Sequence, residues 1–275
     1  MKIKYLGTAA AEGLPGIYCE CANCKKARKL GGKNIRSRSQ ALIDGKLLID
    51  FPCDTYWHFV QNGISLTSVR NVLITHIHSD HFYPKDFGNF SPNYSVLDDT
   101  TFPFRVFGSE DLKDPIAHVV EKAKGRLEFV QIFPFEPFEI LGYTVTAIKA
   151  KHGTTNPYLY IIEKDGKSLL YAHDTGFLPE ESFEYLKNRG KKFDFVSLDC
   201  TEGSREELNY DHHLCLGWDK TFREQFIENG LADKDTIFCL NHFSHNGTDS
   251  CYDDFSKIAA KDGFLTSYDG MEIEF

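Results

Sequence analysis

The sequence predicts an α/β protein in which two β-sheets pack face to face and helices cover both outer faces, a four-layer αββα sandwich. Two observations carry this reading. Short apolar runs bounded by turn residues outnumber helix-like segments. The helix-like segments fall between strand groups in both halves of the chain. No internal linker, low-complexity tract or repeat of roughly 20–50 residues divides the chain. Its 275 residues suffice for one large core, so a single domain over residues 1–275 is expected.

Along the chain, Lys2–Gly7 opens with a strand alternation. Ala41–Ile43 and Lys46–Ile49 flank Asp44-Gly45, a dipeptide suited to the positive φ of a two-residue hairpin turn, and Asp50 ends the second of these strands. Further strands are predicted at Val69–Thr75, Arg105–Gly108, Leu127–Phe133, Tyr143–Ala150, Tyr158–Glu163, Ser168–Ala172, Phe193–Asp199 and Thr236–Leu240, with a second hairpin around Asp165-Gly166. Helices are predicted at Cys24–Leu30, Asp54–Gln61, Asp114–Lys124, Pro179–Asn188, Lys220–Glu228 and Tyr252–Ala260. Pro179 and Glu180-Glu181 suit a first helical turn. The least regular stretch is Phe82–Phe102, where Phe82, Tyr83, Phe87, Phe90, Tyr94 and Phe102 stand among Pro, Asn and Asp. It reads either as a wall beside a site or as an aromatic cover on the core.

With 31 basic and 40 acidic residues, the net charge of -9 argues against a broad footprint for nucleic acid or an anionic membrane. A small anionic substrate stays compatible. No apolar run approaches the roughly 18 residues of a membrane span, so a soluble, cytoplasmic protein is expected. Of eight cysteines, Cys53, Cys200, Cys215, Cys239 and Cys251 are scattered and read as small core residues. Cys19, Cys21 and Cys24 cluster instead, offering three thiolates that need a fourth donor for a closed tetrahedral site; a structural zinc is the expectation.

Directly after the apolar run Val72-Leu73-Ile74 stands Thr75-His-Ile-His-Ser-Asp-His81. A strand end is rigid, so side chains just beyond it converge at little ordering cost. His76 and His78 project to one side of an extended chain, while Asp80 and His81 follow where it turns. One loop could thus begin two neighbouring cation sites, an arrangement suited to displacement at phosphorus.

This stretch resembles the H-x-H-x-D-H signature of the metallo-β-lactamase superfamily, carried here by His76, His78, Asp80 and His81. The resemblance implies a metallo-β-lactamase-like form of the αββα sandwich and further ligands at strand ends. His152 takes the place of the third histidine of the first metal, Asp174 that of the bridging aspartate, and His242 that of the last ligand of the second metal. Asp50 corresponds to an early aspartate that holds a ligating histidine rather than a metal. His173 adjoins Asp174, and His245 lies three residues beyond His242, so these identities stay open.

Leu6-Gly7-Thr8-Ala9-Ala10 followed by C-x-C-x-x-C is similar to the start of the carbon–phosphorus lyase accessory phosphodiesterase family, which cleaves phosphoribosyl cyclic phosphate. That resemblance implies His245 as the fourth ligand of the structural zinc. It also implies a dinuclear phosphodiesterase acting on a small phosphodiester, cyclic or linear, through a metal-bridging hydroxide. Histidine and carboxylate ligands suit zinc, manganese or iron equally. In Asp211-His212-His213-Leu214 the resemblance places a catalytic histidine that serves the leaving group: His213, with His212 as the alternative. A homodimer is common among such relatives. Two other accounts stay open. Asn241-His242-Phe243-Ser244 also resembles the last motif of ribonuclease Z, although no basic, glycine-rich arm is visible. The cysteine-rich opening occurs as well in the pyrroloquinoline quinone biosynthesis family, which would make the protein a non-catalytic carrier.

Overall fold

The structure, a computed structural model, describes residues 1–65, 68–97 and 103–275. Two seven-stranded sheets form. The first runs β14 (Glu272–Glu274), β1 (Lys2–Gly7), β2 (Gln40–Ile43), β3 (Leu47–Ile49), β4 (Asn71–Leu73), β5 (Phe104–Gly108) and β6 (Leu127–Gln131). It is antiparallel from β14 to β3 and parallel from β3 to β6. The second runs β13 (Leu265–Thr266), β12 (Ile237–Asn241), β11 (Phe195–Asp199), β10 (Lys167–Ala172), β9 (Tyr158–Lys164), β8 (Tyr143–Lys149) and β7 (Phe138–Ile140). There β13 to β10 are parallel and β10 to β7 antiparallel.

Strand periodicity sorts the apolar residues into layers. In β2 and β3, Ala41, Ile43, Leu47 and Ile49 face the second sheet and join Tyr5, Tyr143, Tyr160, Leu169, Tyr171 and Phe195 in the central core. The alternate residues Leu42 and Leu48 turn outward into a second core. Because both faces of these strands are covered, they read as continuous apolar runs. Helices α2 (Thr55–Asn62) and α3 (Lys113–Ala123) pack on the outer face of the first sheet through Phe59 and Ile116. Helices α4 (Glu180–Arg189), α5 (Leu216–Glu228) and α6 (Tyr252–Ala259) cover the second through Leu186, Phe222, Phe226 and Phe255. Helix α1 (Ala22–Leu30) tucks Cys24 and Ala27 against Leu14 and Cys251. The four layers are therefore those expected. Among the described helices none is long and apolar enough to cross a membrane.

Three strands escaped the sequence reading: β7, β13 and β14 are edge strands of two or three residues, too short for a period to show. Helix α5 begins at Leu216 rather than Lys220 because its first turn buries Leu216 and Asp219. Both predicted hairpin turns have the required geometry, with Asp44, Gly45, Asp165 and Gly166 all at positive φ. In the irregular stretch, Phe82, Phe87 and Phe90 are buried in the outer core, and Phe87 stacks on Phe51 at 4.1 Å between centroids. That part is a core cover; Tyr94 is exposed, and Phe102 lies outside the described residues. One reading of the cysteines needs correction. Cys53 is exposed in the turn before α2, near the Arg38 guanidinium, whereas the other four scattered cysteines are buried.

Parallel pairing sets where a site can form. β3 and β4, and separately β10, β11 and β12, run in the same direction, so their C-terminal ends emerge along one edge of each sheet. That is where open α/β sheets place their ligands.

Candidate metal centre

Asp50 leaves β3, His76 follows β4, His152 follows β8, Asp174 follows β10, Asp199 ends β11 and His242 follows β12. All converge at one edge of the sandwich. Asp50, Asp174 and His242 sit at φ 65°, 53° and 64°, the left-handed region that non-glycine residues rarely occupy. The turn out of the strand thus falls on the functional residue itself.

In each of four histidines Nδ1 is already engaged. His76 Nδ1 donates to Thr75 Oγ1 (3.0 Å), His81 Nδ1 to Asp50 Oδ2 (2.7 Å), His152 Nδ1 to the His212 carbonyl (3.3 Å) and His242 Nδ1 to Thr201 Oγ1 (2.9 Å). Each ring therefore turns the lone pair of Nε2 inward. His78 instead turns Nδ1 to the cluster, 3.0 Å from His76 Nε2 and 3.1 Å from His152 Nε2. A second group lies alongside: His81 Nε2 is 3.2 Å from Asp80 Oδ2, 2.5 Å from Asp174 Oδ2 and 3.3 Å from His242 Nε2. His242 Nε2 is 3.2 Å from Asp174 Oδ2.

These spacings test whether a cation fits. Ligand bonds of about 2.0–2.1 Å in a tetrahedron give ligand–ligand edges of about 3.3 Å. The observed 3.0–3.3 Å separations between nitrogens match that edge. Lone pairs facing one another at such distances repel unless a cation or a proton lies between them. Asp174 Oδ2, buried, makes no hydrogen bond of good geometry. Without a cation, protons take its place. Burial favours a neutral His81, yet Asp80, Asp174 and Asp50 hold it well above the ordinary histidine range. Burial likewise opposes charge on His242, but Asp174, Asp80 and Asp199 bring it up to about 10. Burial, with neighbouring His81, keeps His76 well below its ordinary value, the neutral form a cation needs. Burial also lowers His152. The donor set accordingly fits two cations, one among His76, His78 and His152 and one among Asp80, His81, Asp174 and His242.

Asp174 spans both groups: Oδ2 faces His81 and His242, while Oδ1 lies 3.9 Å from His152 Nε2 and 3.5 Å from His213 Nδ1. Its neighbour His173 points elsewhere. That ring is buried between the sheets, with Nε2 2.7 Å from Ser197 Oγ.

The sequence left His212 and His213 as alternatives, and the structure separates them. His213 Nδ1 donates to Asp199 Oδ2 at 3.1 Å, and the ring lies beside His242 and His152. Burial opposes its charge, but Asp199 outweighs burial and raises its pKa. The His212 ring is exposed and turned toward Asp211; only its carbonyl reaches the site, as the acceptor for His152. The His212 side chain thus stands outside the cluster that the His213 ring joins.

Three residues had no role in the sequence reading. Asp199, fully buried, accepts from the backbone of Thr201, Leu214 and Asp174 and from the Thr201 hydroxyl. Thr201 orients His242, and Thr75 binds Asp50 through both its backbone N–H and its hydroxyl. The signal for Asp199 was present: like Asp50 it ends an apolar strand.

The cysteines form a separate cluster with His245. His245 Nδ1 lies 3.3 Å from Cys19 Sγ and 3.7 Å from Cys21 Sγ, with Cys24 Sγ in the same group. With Zn–S near 2.3 Å, a sulfur–nitrogen edge of about 3.6 Å is expected. Backbone N–H groups of Gly16, Cys21 and Cys24 donate to the three sulfurs. Burial raises the Cys21 thiol, but the Cys24 N–H, His245 and the other thiols outweigh it and bring Cys21 down to about 6. Burial pushes Cys24 up to about 12.

Comparison with known proteins agrees with this architecture. A curated ribonuclease Z from Picrophilus torridus is 27% identical over 208 residues, covering 70% of this chain. The match spans 58% of that relative's length. A diphosphatase from the PhnP family superposes with a TM-score of 0.73 at 23% identity, over 100% of this chain and 97% of the other. Zinc-bound PqqB from Methylobacterium extorquens superposes at 0.71 and 17% identity, over 100% of both chains. At these identities the two structures show a shared fold. The model of the beta-lactamase superfamily domain matches residues 51–225, from the residue after Asp50 through His76–His81, His152 and Asp174 to His213, and the chain belongs to that family.

Proposed function

We propose that the protein is a dinuclear metal-dependent hydrolase of small phosphodiesters. The observation that carries this reading is the single Asp174 carboxylate reaching toward both histidine groups, which makes the two cation positions neighbours. His76, His78 and His152 would hold one divalent cation; Asp80, His81 and His242 would hold the other, with Asp174 between them. When bound, such a pair supplies Lewis acidity toward a phosphoryl oxygen and lowers the pKa of a water.

The chain's own residues account for the rest. Asp50 and Thr75 fix the first loop from behind, and Asp199 with Thr201 fixes His242. His213 keeps its Nδ1 proton on Asp199, which leaves Nε2 to face a substrate. With its pKa raised by Asp199, the ring is positively charged over more of the neutral range and can give its Nε2 proton to the departing alkoxide. The cysteine cluster would hold a zinc that ties residues 16–24 to the segment after β12.

A small substrate, cyclic or linear, agrees with the net charge of -9, which opposes binding along a long polyanion. A second reading, ribonuclease Z-like cleavage, is favoured by the 27% identical relative. One experiment separates them: metal-free protein is reloaded with zinc, manganese or iron(II) and assayed on a chromogenic phosphodiester, on cyclic ribose phosphates and on a precursor tRNA. Turnover of small diesters with none of the tRNA is expected. No turnover with any metal would overturn the hydrolase reading and favour a carrier.

A further inference from the structure

We infer that Gln40 and His58 are positioning residues for the second cation position, acting through the strained backbone of Asp50. The inference rests on reading Asp80, His81, Asp174 and His242 as a cation site.

Asp50 is held at φ 65°, a conformation that persists in a non-glycine residue only where its surroundings over-determine it. Its N–H donates to the Leu73 carbonyl at 2.8 Å, and its carboxylate is tied to Thr75 and His81. The remaining group is its carbonyl oxygen, which accepts from Gln40 Nε2 at 2.9 Å. Gln40 is wholly buried in β2, and its second Nε2 proton goes to Thr55 Oγ1, also at 2.9 Å.

This fixes the orientation of both side chains. A backbone carbonyl only accepts, so the amide nitrogen of Gln40 must face Asp50 and the amide oxygen must face His58. His58 Nδ1 lies 2.7 Å from that oxygen and therefore carries a proton. Burial lowers the His58 pKa to about 4, and on its far side Nε2 lies 2.7 Å from Ser37 Oγ, whose hydroxyl also reaches Asp269 Oδ2. The ring packs closely against Gly7. A Cβ on Gly7 would overlap His58 Cε1 and the Arg38 carbonyl, so this packing requires a glycine there. Thr55 and His58 belong to α2, and Asp54 at the start of α2 accepts from the Arg38 backbone N–H at 3.0 Å. The helix thereby clamps Gln40, Gln40 clamps the Asp50 peptide, and Asp50 aims His81 Nε2.

None of these groups touches the cation cluster, so the effect is on ligand geometry. The test is zinc titration of the metal-free full-length protein against a competing chelator, with bound metal counted by elemental analysis after dialysis. Gln40→Leu is expected to weaken one active-site equivalent about tenfold while the other active-site equivalent and the cysteine-site equivalent keep wild-type affinity. His58→Asn keeps a donor in the place of Nδ1 and is expected to bind like wild type. His58→Gln, whose amide reaches the Nε2 position instead, is expected to lose affinity as Gln40→Leu does. Equal behaviour of the two His58 variants would overturn the inference, since packing alone would then account for the ring. Wild-type affinity in Gln40→Leu would overturn it too. His81→Ala distinguishes the levels: if it also leaves all affinities unchanged, the underlying cation site is what has failed.

Discussion

Asp50→Asn alters one atom behind the second cation position. In the native structure Oδ1 accepts from the N–H and hydroxyl of Thr75, and Oδ2 accepts from His81 Nδ1 at 2.7 Å, with both side chains at 0% exposure. The two Thr75 donors select the oxygen of the new amide, so its NH2 must replace Oδ2. Two donors would then face each other across 2.7 Å unless His81 shifts its proton from Nδ1 to Nε2. That shift places a hydrogen where the lone pair for the cation should be, beside Asp174 Oδ2 and His242 Nε2. A hydrogen bond to a charged group contributes about 1.5–3 kcal/mol, and outer partners of ligating histidines are worth about 10–100-fold in metal affinity, which is about 1.4–2.7 kcal/mol. The two scales agree. Equilibrium dialysis with zinc should show one active-site equivalent weakened by that factor while the position among His76, His78 and His152 is unchanged, and circular dichroism should show an intact fold. Wild-type affinity at both positions would refute the tautomer argument, and with it the claim that Asp50 acts through His81.

Three further outcomes are expected. His213→Asn should lower turnover of a chromogenic phosphodiester by about 10²–10⁴ without changing metal content, whereas His212→Ala, which keeps the carbonyl that orients His152, should stay near wild type in the same assay. Gly176→Ala would put a Cβ onto the Asp211 carbonyl oxygen, so it should displace the segment carrying His213 and the His212 carbonyl, reducing activity and weakening metal binding at the position His152 serves. At the cysteine cluster, Cys21 at about 6 is already a thiolate at pH 7 and Cys24 at about 12 is still a thiol. Metal uptake must displace the Cys24 proton at either pH and the Cys21 proton only below about 6. Affinity should therefore fall more steeply as pH drops through about 6, and calorimetry in two buffers should count more protons released at pH 5 than at pH 7.

How much of this was legible in the chain depends on the range over which each signal acts. The fold was legible because strands covered on both faces write themselves as apolar runs, and Asp44-Gly45 and Asp165-Gly166 mark turns by backbone sterics alone. The edge strands were not, since two or three residues cannot show a period and their pairing is decided by partners far along the chain, as in β1 with β14. Within the site, His76 to His81 form a local pattern. Which of His173 and Asp174, and which of His212 and His213, turns its side chain toward the edge is a property of the local backbone direction that no spacing records. Asp199 and Thr201 went unassigned for a related reason: they bind ligands instead of offering themselves as such, so their residue types carry no metal signature.

The backbone at three strand ends shows why the site stays assembled. Asp50, Asp174 and His242 each adopt positive φ, and glycine would relieve the strain but remove the side chain the site uses. At about 1–3 kcal/mol apiece, the three together oppose folding by an amount comparable to a large part of a domain's net stability. Each is held by contacts that do not depend on a cation: Gln40 and Thr75 around Asp50, the Asp199 carboxylate on the Asp174 N–H, and Thr201 on His242. Those contacts are made by buried groups in the strands and in the loops at their ends, so the ligand directions are set before a cation arrives. A cation entering such a site meets donors already aimed, and its binding energy is not consumed in ordering them. Removing Asp199 should accordingly do more harm than its distance from the cation suggests, because it supports Asp174, Thr201 and His213 at once. The variant Asp199→Asn can accept from only some of these donors, and is expected to lose metal affinity and His213-dependent turnover together. Loss of one without the other would show that the two functions are supported separately.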